Sequence, residues 1–150
     1  MESAARREWS PGDVLLDRYQ LVQPLGQGGM GVVWIARHLV LGDRVAIKVQ
    51  SEPWAPRDQL QRFLNEARAA RALRSEHVTK VLDYGTHGAA GQPFIVLELL
   101  EGRDLARVIA TDGPLPWPSA VGFVLQVCEA LAEAHSQGIV HRDLKPSNLF

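Results

Sequence analysis

His141-Arg142-Asp143-Leu144-Lys145-Pro146-Ser147-Asn148 is the stretch that decides how this chain is read. A carboxylate, an ammonium and an amide side chain fall within six positions, beside a proline that interrupts regular structure. A polar surface loop is the plain alternative. Four polar residues of fixed type at fixed spacing make chance a poor explanation.

Outward from that stretch, residues 119–137 are apolar nearly all round, as in a core helix that needs cover on every side. Gly138 is placed to end it, and Cys128 within it reads as buried packing. Asp104 to Ala110 suits a short helix closed by Gly113-Pro114. Val78–Tyr84 and Phe94–Leu99 are strand-like, with the loop 85–91 between them. Leu60, Phe63, Leu64, Ala67, Ala70 and Leu73 recur at helical spacing. Ser51–Arg57, with its two prolines, reads as a loop. Three strands come first: Tyr19–Leu25, Val32–Ala36 and Arg44–Val49, the last two joined by the turn Leu41-Gly42-Asp43.

Gly26-Gln27-Gly28-Gly29-Met30-Gly31 lies between the first two strands. Three readings compete: a plain hairpin turn, a dinucleotide fingerprint, and a glycine loop over phosphates. A dinucleotide fingerprint leads into a helix. Here the last glycine leads into Val32-Val33-Trp34-Ile35-Ala36, a strand pattern. Val45-Ala46-Ile47-Lys48 follows; Lys48 is either a strand-end charge reaching solvent or an ammonium that meets phosphate. Glu66 falls on the flank of the helical apolar face, either as a partner for a cation or as a surface acid near Arg62. Ile95-Val96-Leu97-Glu98-Leu99-Leu100-Glu101-Gly102 is a hydrophobic strand followed by a turn.

In this order and spacing, the glycine loop, lysine strand, helix glutamate, strand-and-turn and polar loop resemble the bacterial eukaryotic-like serine/threonine protein kinases, over Tyr19 to Phe150. The resemblance implies an α+β fold: a five-stranded antiparallel N-lobe sheet with one large helix, a hinge, then the first helices and catalytic loop of a C-lobe. It implies an N-terminal extension over 1–18, mobile at least to about residue 12. It puts the N-lobe to about 97, the hinge at 98–102 and an incomplete C-lobe at 103–150.

It also implies ATP and Mg2+, with phosphates under Gly26, Gln27, Gly28, Gly29, Met30 and Gly31, and with Lys48 meeting them in a pair with Glu66. Leu25, Val33, Ala46, Leu97, Leu100 and Phe150 would enclose adenine, Phe150 where the family more often has leucine. The Glu98 carbonyl and Leu100 amide would meet its edge, and Asp104 the ribose. Asp143 would orient the substrate hydroxyl and accept its proton, and Lys145 would stabilise the transferring phosphoryl group. Asn148 would hold magnesium. His141 reads as structural, and Arg142 as a site for a phosphorylated activation loop. Lys145-Pro146 resembles serine/threonine rather than tyrosine kinases, so the expected partner is a protein with a Ser or Thr acceptor.

Two other classes stay open: a non-catalytic remnant or nucleotide- or partner-binding module, and a small-molecule kinase of the choline or aminoglycoside kind. The family pattern continues with Asp-Phe-Gly and an activation loop, neither of which is in this sequence. The chain on its own is therefore expected to be inactive, with the helix at 119–137 uncovered. The composition is ordinary for a globular protein, with 46% hydrophobic and 22% charged residues. A net charge of -1 gives no reason to expect nucleic acid or an anionic membrane. The single cysteine excludes an internal disulfide. With no leader-like segment and no membrane-length apolar run, the expected location is the cytoplasm, without membrane contact within the chain.

Overall fold

The computed structural model describes residues 9–28, 31–49, 57–88 and 91–150. They form two compact units. The first holds the described residues up to Arg71 together with Lys80–Leu99; the second holds Ala72–Thr79 and Leu100–Phe150.

The first unit is built on an antiparallel sheet. Its strands are β1 (Val14–Leu15), β2 (Tyr19–Gly28), β3 (Gly31–His38), β4 (Arg44–Val49), β5 (Val81–His87) and β6 (Gln92–Glu98), in the order β1-β2-β3-β4-β6-β5. The register couples Val33 to Lys48 and Lys48 to Ile95, and it couples Ile35 to Ala46 and Ala46 to Leu97. Directly opposed residues share a face, and side chains alternate along each strand. One face therefore carries Trp34, Ala36, Val45, Ile47, Val49, Phe94 and Val96, all buried in a single apolar cluster. The other carries Val33, Ile35, Ala46, Lys48, Ile95 and Leu97.

The sheet has six strands where five are expected, because the segment before Tyr19 joins it. Leu15 is fully buried in the core cluster, and Trp9 packs against that cluster. Gly12 N donates to Leu21 O and Leu21 N donates to Asp13 O, each at 2.8 Å. Val14–Leu15 thus form a strand of the sheet, and the residues around them within 9–18 are fastened to it; residues 1–8 lie outside the described ones. Apolar burial accounts for the difference, since Leu15 lies inside the core cluster and Trp9 packs against it.

Helix α1 (Arg57–Ala72) keeps its predicted periodicity. Ala67 is buried and Leu60, Phe63, Leu64 and Ala70 are half-buried, whereas Asn65, Glu66 and Arg68 are exposed. The predicted loop 51–57 lies outside the described residues except for Arg57, the first residue of α1.

The second unit contains α2 (Leu105–Asp112), α3 (Trp117–Ser136) and a 3-10 turn, Pro146–Asn148. Pro118 suits the first turn of α3, where a missing N–H costs nothing. Gly138 N donates to His135 O and closes the helix as predicted. The helix has the all-round apolar pattern of a core helix and is left uncovered, as expected. Only Ala134 is buried, while Trp117, Val121, Phe123, Val124 and Leu125 are exposed. Cys128, expected to be packed, is exposed as well. The neighbouring residues cover only one strip of a helix that is apolar on all sides.

Candidate active site

The polar loop after α3 is turned by Arg142, whose φ of 63° lies in the left-handed region. For a side chain with a Cβ, that conformation costs about 1–3 kcal/mol and clusters at functional sites. His141 braces the turn, its Nδ1 accepting from Asp143 N at 3.3 Å. Beyond the turn the reactive side chains converge. Lys145 Nζ lies 2.9 Å from Asp143 Oδ2. Asn148 Nδ2 donates to Asp143 O at 2.7 Å and to Asp143 Oδ2 at 3.2 Å. The 3-10 turn places Asn148 there, its amide N–H donating to Lys145 O at 2.9 Å. The Lys145 ammonium above all holds the Asp143 carboxyl below the usual carboxylate range; desolvation opposes it, and the Asn148 amide adds a smaller lowering effect. Both bonds fall on Oδ2, so Oδ1 is left for another donor. Asn148 spends its N–H donors inward, which leaves its amide oxygen for a cation.

In the first unit, β2 and β3 meet as a hairpin in which Gly28 pairs with Gly31 and Gly26 with Val33. Gly29 and Met30, expected over phosphates, lie outside the described residues, as does the Gln27 side chain. A Cβ added at Gly26 would meet nothing within 4 Å, and its φ is not positive. Neither packing nor backbone strain requires glycine there. What remains is access for something that approaches the backbone closely. A bulge between Pro24 and Gly26 leaves Leu25 unpaired and exposed just before that point, as bulges beside functional sites do.

Val33, Ala46, Lys48 and Leu97 share the sheet face opposite the core cluster, so the register brings these four expected residues together. Ile35 and Ile95 lie in the same cross-strand rows and were missed by sequence reasoning; the period-2 alternation from Val33 and Leu97 was the signal that points to them. Glu98 is held twice by Lys80: its amide donates to Lys80 O at 3.0 Å, and its carboxylate accepts from Lys80 N at 2.7 Å.

Some expected pairings are not formed. No ion pair joins Lys48 to Glu66; Lys48 is half-buried and Glu66 is exposed on α1. Asp104 caps α2, its Oδ1 accepting from Arg107 N at 2.9 Å, which leaves Oδ2 over. Leu100 is exposed. Phe150 lays its ring against Gly102, where an added Cβ would come within 3.2 Å of it. Among the described residues, no three His, Cys, Asp or Glu side chains form a cluster able to hold a metal by itself. The free amide oxygen of Asn148 is of the hard donor type that suits Mg2+.

The sequence pattern of the protein kinase domain matches residues 19–150. The chain is 39% identical over 143 residues to the serine/threonine-protein kinase pkn2 of Myxococcus xanthus, covering 94% of this chain and 17% of that protein. It is 41% identical over 139 residues to the serine/threonine-protein kinase PknB of Mycobacterium leprae, covering 91% of this chain and 22% of that protein. The crystal structure of the Mycobacterium tuberculosis PknI kinase domain superposes with a TM-score of 0.81 at 30% identity, over 94% of this chain and 58% of that one. The chain belongs to the protein kinase family and spans about a fifth of the length of the curated relatives it matches.

Proposed function

We propose that this chain carries the nucleotide-binding strands and the catalytic loop of an ATP-dependent protein serine/threonine kinase. The observation that carries the reading is the Asp143 carboxylate, kept charged by Lys145 and Asn148 with one oxygen left over. A carboxylate of lowered pKa is a weak base. Its role is then to orient a serine or threonine hydroxyl through Oδ1, taking its proton late as the bond to phosphorus forms. Lys145 neutralises charge on the transferring phosphoryl group, and Lys48 on the α- and β-phosphates. Magnesium, when bound, screens the phosphate oxygens, and Asn148 is its ligand here. Gly26 to Gly31 lie over the phosphates. Leu25, Val33, Ala46 and Leu97 are the adenine contacts of the first unit, and Leu100 and Phe150 those of the second. The backbone of Glu98 reads the adenine edge. Asp104 reaches the ribose by the oxygen that its capping bond leaves over. Glu66 joins Lys48 when α1 swings inward.

The test is phosphotransfer from ATP by the intact natural protein to a generic basic protein, with choline and an aminoglycoside as competing acceptors. Asp143→Asn is expected to lower kcat by about 10²–10⁴-fold with little change in KM for ATP. Transfer to the small molecules alone would shift the reading to that class. Equal rates for Asp143→Asn and the unaltered protein would remove Asp143 from the mechanism.

A further inference from the structure

The ladder between β5 and β6 closes on a side chain. Val81 pairs with Leu97, so Lys80 stands opposite Glu98, the last residue of β6. Two residues bonded across an antiparallel ladder exchange both bonds, each amide donating to the other's main-chain carbonyl. The first of these is made, Glu98 N donating to Lys80 O at 3.0 Å. For the second, Lys80 N donates to Glu98 Oε1 at 2.7 Å. The carboxylate has taken the place of its own residue's carbonyl. A charged acceptor makes the stronger bond to an N–H, which favours the replacement. The main-chain carbonyl of Glu98 is thereby released from the sheet edge. Glu98 pairs with Val45 on the other side, so its side chain springs from the core-cluster face, opposite to that of Ala46 and Leu97. Beyond Glu98 the strand ends, and between Leu99 and Leu100 the chain passes from the first unit to the second.

We infer that the Glu98 side chain is a positioning group that sets the choice of base: its carboxylate occupies Lys80 N, and the carbonyl so freed accepts from the exocyclic amine of adenine. This rests on the kinase reading above, in which the backbone of Glu98 meets the adenine edge. A carbonyl kept in the ladder is aimed at the neighbouring strand; one released from it can turn to the base. An acceptor there suits adenine, which offers an amine, and refuses guanine, which offers a carbonyl at the same place. Two acceptors set face to face leave both unpaired, and that cost is the source of discrimination.

The experiment measures phosphotransfer by the intact natural protein from ATP, from GTP and from the triphosphate of purine riboside, which has adenine's ring without its amine. The unaltered protein is expected to favour ATP over the purine analogue by roughly 3- to 10-fold in KM, the range of one hydrogen bond. Glu98→Ala returns Lys80 N to the main-chain carbonyl and should abolish that preference, the loss falling on KM rather than kcat. Glu98→Asp, whose carboxylate is one carbon too short for Lys80 N, should do the same, and the margin of ATP over GTP should narrow in both. Glu98→Gln keeps a side-chain oxygen and should retain the preference. A side chain that merely steadies the strand end would lower the thermal midpoint and leave the ratio between nucleotides untouched. An unchanged ratio in Glu98→Ala or Glu98→Asp would overturn the inference. So would equal use of ATP and the analogue by the unaltered protein, an outcome that decides the matter even if the variants do not fold. Absence of phosphotransfer from ATP in the unaltered protein would instead defeat the kinase reading, and this inference with it.

Discussion

Gly26 separates two reasons for a glycine. Its surroundings are open and its φ is ordinary, so the fold gains nothing from the missing side chain. Gly26→Ala is expected to leave the thermal midpoint unchanged or slightly raised, since alanine is favoured over strand glycine by about 0.5–1 kcal/mol. The same change should raise KM for ATP several-fold by holding phosphates off the backbone. An unchanged KM would show that nothing approaches there. Asp143, Lys145 and Asn148 were legible because a loop has no packing reason to keep three such side chains close. The part played by the Glu98 carboxylate was not, since it depends on how Lys80 and Glu98 meet across the ladder, which a run of residues does not show.

Among the elements, β2 and β5 are fastened by a single phenol. The Tyr19 hydroxyl donates to Asp83 Oδ2 at 3.3 Å, and Arg18 Nη1 lies 3.7 Å from the same oxygen. Burial, and then the Asp83 charge, push the Tyr19 hydroxyl above its ordinary pKa. The neutral form is favoured in the folded state, so its contribution to stability is complete below the unfolded value of about 10 and is lost as pH rises through the folded one. Urea midpoints measured from about pH 8 to about pH 12 are expected to fall less steeply in Tyr19→Phe than in the unaltered protein. Parallel curves would exclude Tyr19 as the titrating group. The central strands were legible from their β-branched and aromatic runs. The two-residue β1 was not, because Val14-Leu15 is too short to show a period.

At the scale of the whole molecule, the contrast lies between a closed sheet core and an open helix. Phe94, Leu15, Leu21, Ile47, Val49 and Val96 are fully buried. On α3, Trp117 is 78% exposed and Val124 60%. An apolar surface of that kind binds whatever apolar partner is offered. The 150-residue chain by itself is expected to enhance the fluorescence of a hydrophobic dye before any unfolding, and Val124→Glu with Leu125→Lys should reduce that signal. A dark dye and a sharp cooperative melt would contradict this. The apolar character of α3 and its want of cover were both legible, but hydropathy does not say which positions of a helix stay covered, so the exposure of Cys128 was not.

The family match begins at Tyr19, yet the folded sheet begins earlier. Leu16 rests against the Gly85 position of β5, and the Trp9 ring lies 5.3 Å from that of His87, while β1 pairs with β2. The first strand of the sheet and the last are thus spanned by one short segment, like a drawstring. A gene cut at the conventional domain boundary would discard that drawstring along with Leu15, and a fusion partner joined directly to Tyr19 would sit where the core is sealed. Recombinant versions of this protein should therefore start upstream of Trp9.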